Sequence, residues 1–436
     1  MIDIKLIRET PEEIKRSLLN KGADCSGDID RILALDTQRR QLIAAGEAGK
    51  AEQNKLSKQI PQIKKEGGDT SEIFERLSTL KDDVREYAEK LRVVEDELND
   101  LMLGLPNPPD DDLKPGGKEN NEALRYFGQP HEFGFEPQNH LDLCTNLGLI
   151  DYPRGAKLSG SGFWVYRGLG ARLEWALLNF FIDTHIADGY ELLMVPHMLE
   201  YQCGLTAGQF PKFEDDIFKI ANPPDDRMRY MLPTAEAALC ALHRDEILAE
   251  AELPKKYVSY TPCFRREAGT YGADERGMVR GHQFNKVEMV QYTTPEGSAA
   301  AFDELVGKAE ALVSALGFHF RTVKLAAGDC SAGMARTYDI EIQIPSMDGY
   351  KEVSSVSNAR EYQARRGAMR FRRESTGKTE FMHTLNGSGL ATSRILPALV
   401  EQNQQEDGSV VVPEVLRKYM GGIDIIAPLV QRIPNN

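Results

Sequence analysis

Two strand-like runs between Thr261 and Val290 carry charge where a core would be expected. The first reads Thr-Pro-Cys-Phe-Arg-Arg-Glu and the second His-Gln-Phe-Asn-Lys-Val-Glu-Met-Val. Arg265, Glu267 and Glu288 interrupt otherwise apolar sequence, and the loop between the runs holds Arg276 and Arg280. Charges are buried only when something pairs with them. A hairpin that turns both signs inward therefore points to a charged ligand rather than a dry core.

Other stretches could contribute. Leu232-Pro-Thr-Ala-Glu236 opens a helix expected to run through Arg244. Thr234 reads first as its cap, with Glu236 favourable in the first turn. Small polar groups at a helix start can also bind an ammonium and a hydroxyl. Tyr338–Pro345 and Tyr350–Ser355 alternate like strands, and Glu352 and Ser355 supply oxygens of the kind Mg²⁺ accepts alongside phosphate and water. Thr384–Arg394 contains a Gly-Ser-Gly sequence, read as a turn that permits close backbone approach to a ligand, and runs into an apolar helix. It lacks the Gly-Lys-Ser/Thr ending of a Walker loop.

These residues need a scaffold. An amphipathic helix is expected from Gly170 to about Ala187, followed by the strand Glu191–Pro196, whose proline suggests a sheet edge. Upstream, Ile73, Leu77, Leu80, Val84, Tyr87, Leu91, Val94, Leu98 and Leu101 alternate spacings of four and three, the seam of a coiled coil. Ile32, Leu35, Leu42, Leu56, Ile60 and Ile63 give a partner helix in the same register, weakened by Arg39, Gly46, Gly49 and Gln53. With Glu66-Gly-Gly-Asp69 as the turn, residues 28–103 form an antiparallel hairpin on the order of 50–60 Å long. Its first helix carries eight Lys/Arg against five Asp/Glu and its second five against eleven. Interhelical ion pairing and a basic face for a phosphate backbone both fit that asymmetry. Leu105–Asp112, rich in proline and aspartate, ends the arm.

The chain has 436 residues, enough for two or three domains, with 41% hydrophobic and 28% charged residues, as in globular proteins. No apolar run approaches membrane-spanning length. The six cysteines are scattered without a Cys-x-x-Cys pair, so neither zinc nor a disulfide framework is expected and a reducing cytoplasm fits. A net charge of −14 argues against diffuse nucleic-acid binding but leaves room for a local basic stripe.

Taken in order, the segments resemble one family. Phe264-Arg265-x-Glu267 resembles motif 2 of the class II aminoacyl-tRNA synthetases, Gly387-Ser-Gly-Leu-Ala-x-x-Arg394 resembles motif 3, and residues 170–196 resemble motif 1. Within that class the whole chain is similar to the bacterial-type seryl-tRNA synthetases. The hairpin, Gly208-Gln-x-Pro-Lys-Phe-Glu214, Thr234-Ala235-Glu236, His282-Gln-Phe-x-Lys-Val-Glu288, Gln363-Ala-Arg-Arg366 and Gln404-Gln-Glu-Asp-Gly-Ser409 carry the match.

The resemblance implies an α+β fold: a tRNA-binding domain over 1–112, then a class II catalytic domain over 113–436, an antiparallel sheet of six to eight strands flanked by helices. Motifs 1, 2 and 3 would span 170–196, 259–291 and 384–403, with motif 1 joining a homodimer. It implies activation of L-serine by ATP and transfer to the terminal adenosine of tRNA-Ser, with tRNA-Sec as a further acceptor. Arg265 would hold the α-phosphate and Arg394 the γ-phosphate as the catalytic pair, with Glu267 and Phe284 at the adenine. Arg266, Val353 and Ser354 would complete the ATP site, and Glu352 and Ser355 would bind Mg²⁺. Thr234, Ala235, Glu236, Glu288 and Ser388 would surround the serine. His282 reads as a structural histidine near the site. The arm would grip the tRNA through Lys50, Lys55, Lys58, Lys64 and Lys65.

Several positions depart from the family pattern. Arg266 replaces a usual serine, Ala237-Ala238 a Val-Pro and Ser393 a glycine. Val356 and Ala359 stand in the Ser-Ser-Cys-Ser-Asn stretch, and the 328–336 loop is unusual. They suggest a divergent member, such as a second copy with altered ATP or inhibitor handling. Two rival readings stand beside ligase activity: a paralogue passing activated serine to a carrier protein or to a natural-product or resistance pathway, and a non-catalytic tRNA-binding relative.

Overall fold

The computed structural model describes residues 1–267, 277–347 and 349–429, in two units. Unit 2 comprises Ile2–Leu19 and Ala23–Pro106. Two short helices, Ile4–Glu9 and Pro11–Asn20, precede the long helices α1 (Ser26–Lys65) and α2 (Ser71–Gly104). At the α-helical rise these span about 60 and about 51 Å. The expected seam is the buried one: Ile32, Leu35, Leu80, Val94 and Leu98 are covered, while Leu42, Leu56, Val84 and Leu91 are half-buried. Gly49, expected as a weak point, is a close-packing site. A Cβ there would lie 2.8 Å from Val84 Cγ2, so the partner side chain occupies the space that glycine leaves.

Both explanations of the charge asymmetry find residues in the arm. Three of its arginines pair between helices, Arg31 with Glu97 at 2.7 Å, Arg39 with Glu95 at 2.9 Å and Arg76 with Glu52 at 3.1 Å, while Arg40, Arg85 and Arg92 pair within their own helices. Lys50, Lys55, Lys58, Lys64 and Lys65 are all exposed, and among the described residues none of them forms an ion pair.

Unit 1 is built on an eight-stranded sheet. Its strands are β1 (Glu122–Phe127), β2 (Glu191–Leu192), β3 (Lys255–Phe264), β4 (Gln283–Thr293), β5 (Phe320–Lys324), β6 (Arg336–Gln343), β7 (Tyr350–Arg360) and β8 (His383–Ala391). The spatial order is β1-β5-β6-β7-β8-β4-β3-β2, antiparallel throughout except for the β2–β3 pair. Helices α3 (Leu169–Ala187), α4 (Ser298–Ala315) and α5 (Thr392–Gln402) contribute Leu173, Leu177, Phe181, Leu305, Leu312, Ile395 and Leu399 to a core shared with Val287, Met289, Ile340, Val356 and Leu385 of the strands.

Three local expectations are corrected. The strand after α3 is two residues long, because only Glu191 and Leu192 find ladder partners on β3 and Pro196 cannot donate. The helix expected from Thr234 to Arg244 is the single turn Glu236–Leu239, continued by turns. The Gly-Ser-Gly sequence is not a turn but lies inside β8, where Gly387 pairs with Met289 and Ser388 with Glu288. Glycine is needed at 389 because a Cβ would sit 2.3 Å from His185 Nε2, which bonds the Gly389 carbonyl at 3.1 Å.

Candidate active site

The charged hairpin is β3–β4, and its ends open onto three adjoining cavities of unit 1, of 430, 210 and 330 Å³, all lined by Arg280 and hence one cleft. Arg265, Glu267, Thr234 and Glu236 line the largest. Phe284, Lys286, Val353, Ser388 and Arg394 line the second, and Glu352, Ser355 and Asp339 the third. Arg276 lies outside the described residues.

At the inner end the charges are buried and mutually satisfied. Glu288 sits on the buried run of β4 with Lys286 Nζ 2.5 Å from Oε2, while Asn386 Nδ2 donates to Oε1 at 3.2 Å. Thr234 Oγ1 donates to Glu288 Oε2 at 3.4 Å and accepts from the Glu236 amide at 3.4 Å, so it caps a turn and contacts the acidic pair at once. Gln363 Nε2 donates to Glu236 Oε1 at 2.8 Å, and the same amide is fixed by Thr384 Oγ1 at 2.6 Å and the Ala207 carbonyl at 3.0 Å. Burial first, then the neighbouring Glu288 charge, pushes the Glu236 carboxyl up to about 7, against the pull of Lys286 and the hydrogen bonds of Gln363 and Gln209. Lys286, Gln363 and Asn386 were not singled out as ligands in the sequence. Their signal was present, since Lys286 and Asn386 each lie two residues from a named site residue on a strand, hence on the same face.

The outer end is more open. The Arg265 guanidinium lies 5.3 Å from the Phe284 ring centroid and its Nε donates to the Pro233 carbonyl at 3.3 Å. Glu267 pairs with Arg280 at 2.8 Å. Arg394 Nη1 donates to the Glu352 carbonyl at 2.6 Å and lies 3.6 Å from its carboxylate. His282 is a latch: its Nδ1 bonds the Arg265 carbonyl at 3.0 Å while its own carbonyl accepts from the Arg265 amide, also at 3.0 Å.

Four expected side chains do not line the cleft: Glu288 lies behind Lys286 and Thr234, and Ala235, Ser354 and Arg266 face elsewhere. Ala235 is packed in the apolar cluster with Phe210, Tyr230 and Leu232, because it follows Thr234 on the opposite side of the turn. Ser354 is buried and donates to the Ser388 carbonyl at 2.6 Å, bracing β7 on β8, because the β6–β7 register shifts between Ile340 and Glu341, leaving one extra residue between Glu352 and Ser354 and turning the two onto opposite faces. Arg266 is exposed and points away, its Nη1 donating to the Asp215 carbonyl at 2.8 Å and its amide to the Asp216 carbonyl at 2.9 Å.

Glu352 is exposed and Ser355 half-buried, with Asp339 directly across the β6–β7 ladder from Ser355. Asp339 is buried, and burial with the nearby Glu352 charge holds its carboxyl well above the usual range, opposed by a Ser355 hydrogen bond. Among the described residues no set of three or more His, Cys, Asp or Glu closes around an ion. The oxygens of Glu352, Ser355 and Asp339 are of the kind a hard cation accepts together with phosphate and water.

The N-terminal residues 1–109 match the model described as the seryl-tRNA synthetase N-terminal domain, and residues 218–403 match the class II core domain of the Gly, His, Pro, Ser and Thr synthetases. A protein named serine--tRNA ligase 2, from Clostridium acetobutylicum, is 56% identical over 97% of this chain and 99% of its own. The chain belongs to the seryl-tRNA synthetase family. Among solved structures of the family, seryl-tRNA synthetase from Pyrococcus horikoshii complexed with ATP superposes with a TM-score of 0.92 at 33% identity, over 98% of this chain and all of the other. The cytoplasmic serine-tRNA ligase from Naegleria fowleri in complex with AMP gives 0.87 at 29% identity, over 98% and 99%. The sheet and long-helix arm are thus the class II α+β architecture with the family's N-terminal domain.

Proposed function

We propose that this protein is a serine–tRNA ligase, joining L-serine to the terminal adenosine of tRNA-Ser (with tRNA-Sec as a further acceptor) at the expense of ATP. The observation that carries this reading is that buried Glu236, Thr234 and Lys286, the last two held by Glu288 behind them, line one cleft with Arg265 and Arg394. Two buried carboxylates and a hydroxyl suit an ammonium and a primary alcohol. Alanine would leave those groups unpaired, a penalty that reaches ~10⁴–10⁵ in selectivity at sites of this kind.

In the first step a serine carboxylate oxygen attacks the α-phosphorus of ATP. The bond to the bridging oxygen breaks and pyrophosphate departs. Arg265 faces the charge that develops at the α-phosphate, Arg394 holds the γ-phosphate in line, and Phe284 with Glu267 seats the adenine. Such chemistry rests on placement and charge neutralisation rather than on a protein nucleophile. Mg²⁺, when bound by Glu352 and Ser355, would add neutralisation of phosphate charge. In the second step a ribose hydroxyl of the tRNA attacks the seryl carbonyl, and AMP leaves with the bonding electrons.

A homodimer through motif 1 is part of the proposal. It is supported by Trp175 at 53% exposure and Met194 at 93%, apolar surface that a second copy would cover. Six free cysteines are consistent with a reducing cytoplasm, and no helix among the described residues is long and apolar enough to cross a membrane. The arm lysines would contact the tRNA backbone by charge and shape. Transfer of serine to a carrier or natural-product pathway gains no support, since the arm is in place.

Serine-dependent ATP–pyrophosphate exchange, followed by charging of purified tRNA-Ser, tests the reading. Both should proceed; absence of exchange with serine would overturn it, and exchange without charging would move the protein to a carrier pathway. Replacing residues 28–103 by a short Gly/Ser linker should leave exchange intact and lower charging by on the order of 10²-fold. Unchanged charging would remove the arm from tRNA recognition.

A further inference from the structure

Glu174 of α3 is buried although it lies on a helix whose next residue, Trp175, is exposed. One of its oxygens, Oε1, accepts from Asn285 Nδ2 at 2.7 Å and from Thr392 Oγ1 at 2.5 Å. The Thr392 hydroxyl lies also 3.2 Å from the Asn285 carbonyl, so the three residues form a closed triangle. Tyr260 supports it from β3, its hydroxyl donating to Asn285 Oδ1 at 3.1 Å. Oε2 has no well-formed partner, with the Tyr166 phenol beside it.

The triangle gains meaning from its neighbours in sequence. Asn285 follows Phe284, the aromatic platform of the cleft, and Thr392 begins the helix that carries Arg394 two residues on. Motifs 1, 2 and 3 therefore meet at one carboxyl that itself touches no wall of the three-cavity cleft. It lines instead a 410 Å³ pocket with Trp175, Tyr260 and Phe284, the last of which also lines the second cavity of the cleft.

We propose that Glu174 is a positioning residue for ATP: it fixes the spacing between the Phe284 platform and Arg394 by holding Asn285 and Thr392 against α3. The inference rests on the ATP roles assigned above. It separates nucleotide from serine, because Thr234, Glu236 and Glu288 are held by Gln363, Lys286 and Asn386, none of which contacts Glu174. Burial raises the carboxyl to about 7, against hydrogen bonds from Thr392, Asn285 and Tyr166. A neutral group that still accepts two hydrogen bonds should thus substitute for it.

The test compares the full-length protein with Glu174→Leu and Glu174→Gln, each first checked for a cooperative melt. Equilibrium binding of ATP is measured by calorimetry and the KM of each substrate by pyrophosphate exchange. Glu174→Leu should weaken ATP binding at least tenfold and leave the serine KM within twofold, and Glu174→Gln should recover ATP affinity to within threefold of the parent. A folded Glu174→Leu protein with unchanged ATP affinity would overturn the proposal. So would an equal rise in both KM values, or a glutamine variant no better than leucine. Because ATP binding is read directly, a parent protein that binds ATP yet shows no serine-dependent exchange would remove the ligase reading while the strut is still judged by the calorimetry. If neither leucine nor glutamine gave a folded chain, Thr392→Val and Asn285→Ala would be expected to show the same selective loss for ATP, and their failure to do so would equally overturn it.

Discussion

At the inner end of the cleft Glu236, Glu288 and Lys286 are buried, with Lys286 paired to Glu288 and Glu236 bonded by Gln363. At the outer end Glu352 is exposed and Arg394 leans on a backbone carbonyl. The contrast follows from the size and charge of what each end is proposed to take. A small zwitterion must be recognised by dry, fixed groups, and groups left dry without partners would cost more than they return. A polyphosphate brings its own charge and water, so its site can be more open, with its arginines resting on backbone carbonyls and carboxylates. Specificity is therefore built into the inner end and charge neutralisation into the outer.

That comparison can be broken at either end. The largest effect is expected from Arg265→Ala, which should lower the exchange rate by about 10³-fold, as loss of a group facing transition-state charge does. A loss under tenfold would mean that the α-phosphate is held elsewhere. Next, Glu236→Gln should raise the serine KM roughly 10- to 100-fold with the ATP KM little changed. Parallel increases in both would show that the two ends are not separable.

A third prediction concerns pH. The Glu236 and Glu174 carboxyls stand near 7 in the folded protein, whereas in an unfolded chain they titrate at about 4.3. Between those values the folded state keeps a proton that the unfolded state has released. Stability should therefore fall as pH rises from about 4.5 to 7 and level off above, by on the order of 3 kcal/mol per group. Glu236→Gln should remove its share and leave that of Glu174, so the difference between denaturant midpoints at pH 5 and pH 8 should shrink by about half in that variant. An unaltered difference would place the titration on other groups. The smallest effect is expected from Arg266→Ser. Its exposed guanidinium contributes a hydrogen bond worth about 1 kcal/mol to the 215–216 backbone, so exchange should change by no more than about threefold. An effect as large as that of Arg265→Ala would mean that the neighbouring arginines have been given each other's roles.

Much of this was legible in the chain itself. The coiled-coil seam follows from period, and the charged hairpin from the improbability of unpaired charge in a core. Strict alternation would have kept Ser354 on the face of Glu352, and the register shift between β6 and β7 is what parts them. Local rules failed where a neighbour settled the matter. The helix after Thr234 stops at one turn, Gly-Ser-Gly became strand because β4 and β7 flank it, and Gly49 became a packing site because Val84 fills it.

The amino-acid sequence by itself determined the family, the two-helix arm, the order of the three motifs and most of the residues that meet at the cleft. These depend on residue type and short-range period, which travel with the chain. Only the tertiary structure decided which way each of those side chains faces. It turned Arg266 outward, buried Ala235 and Ser354, and brought Gln363 to Glu236 and Glu174 to Asn285 and Thr392 across separations of 127, 111 and 218 residues. Those pairings arise because a buried polar group must find a partner wherever the sheet brings one, and distance along the chain carries no record of that.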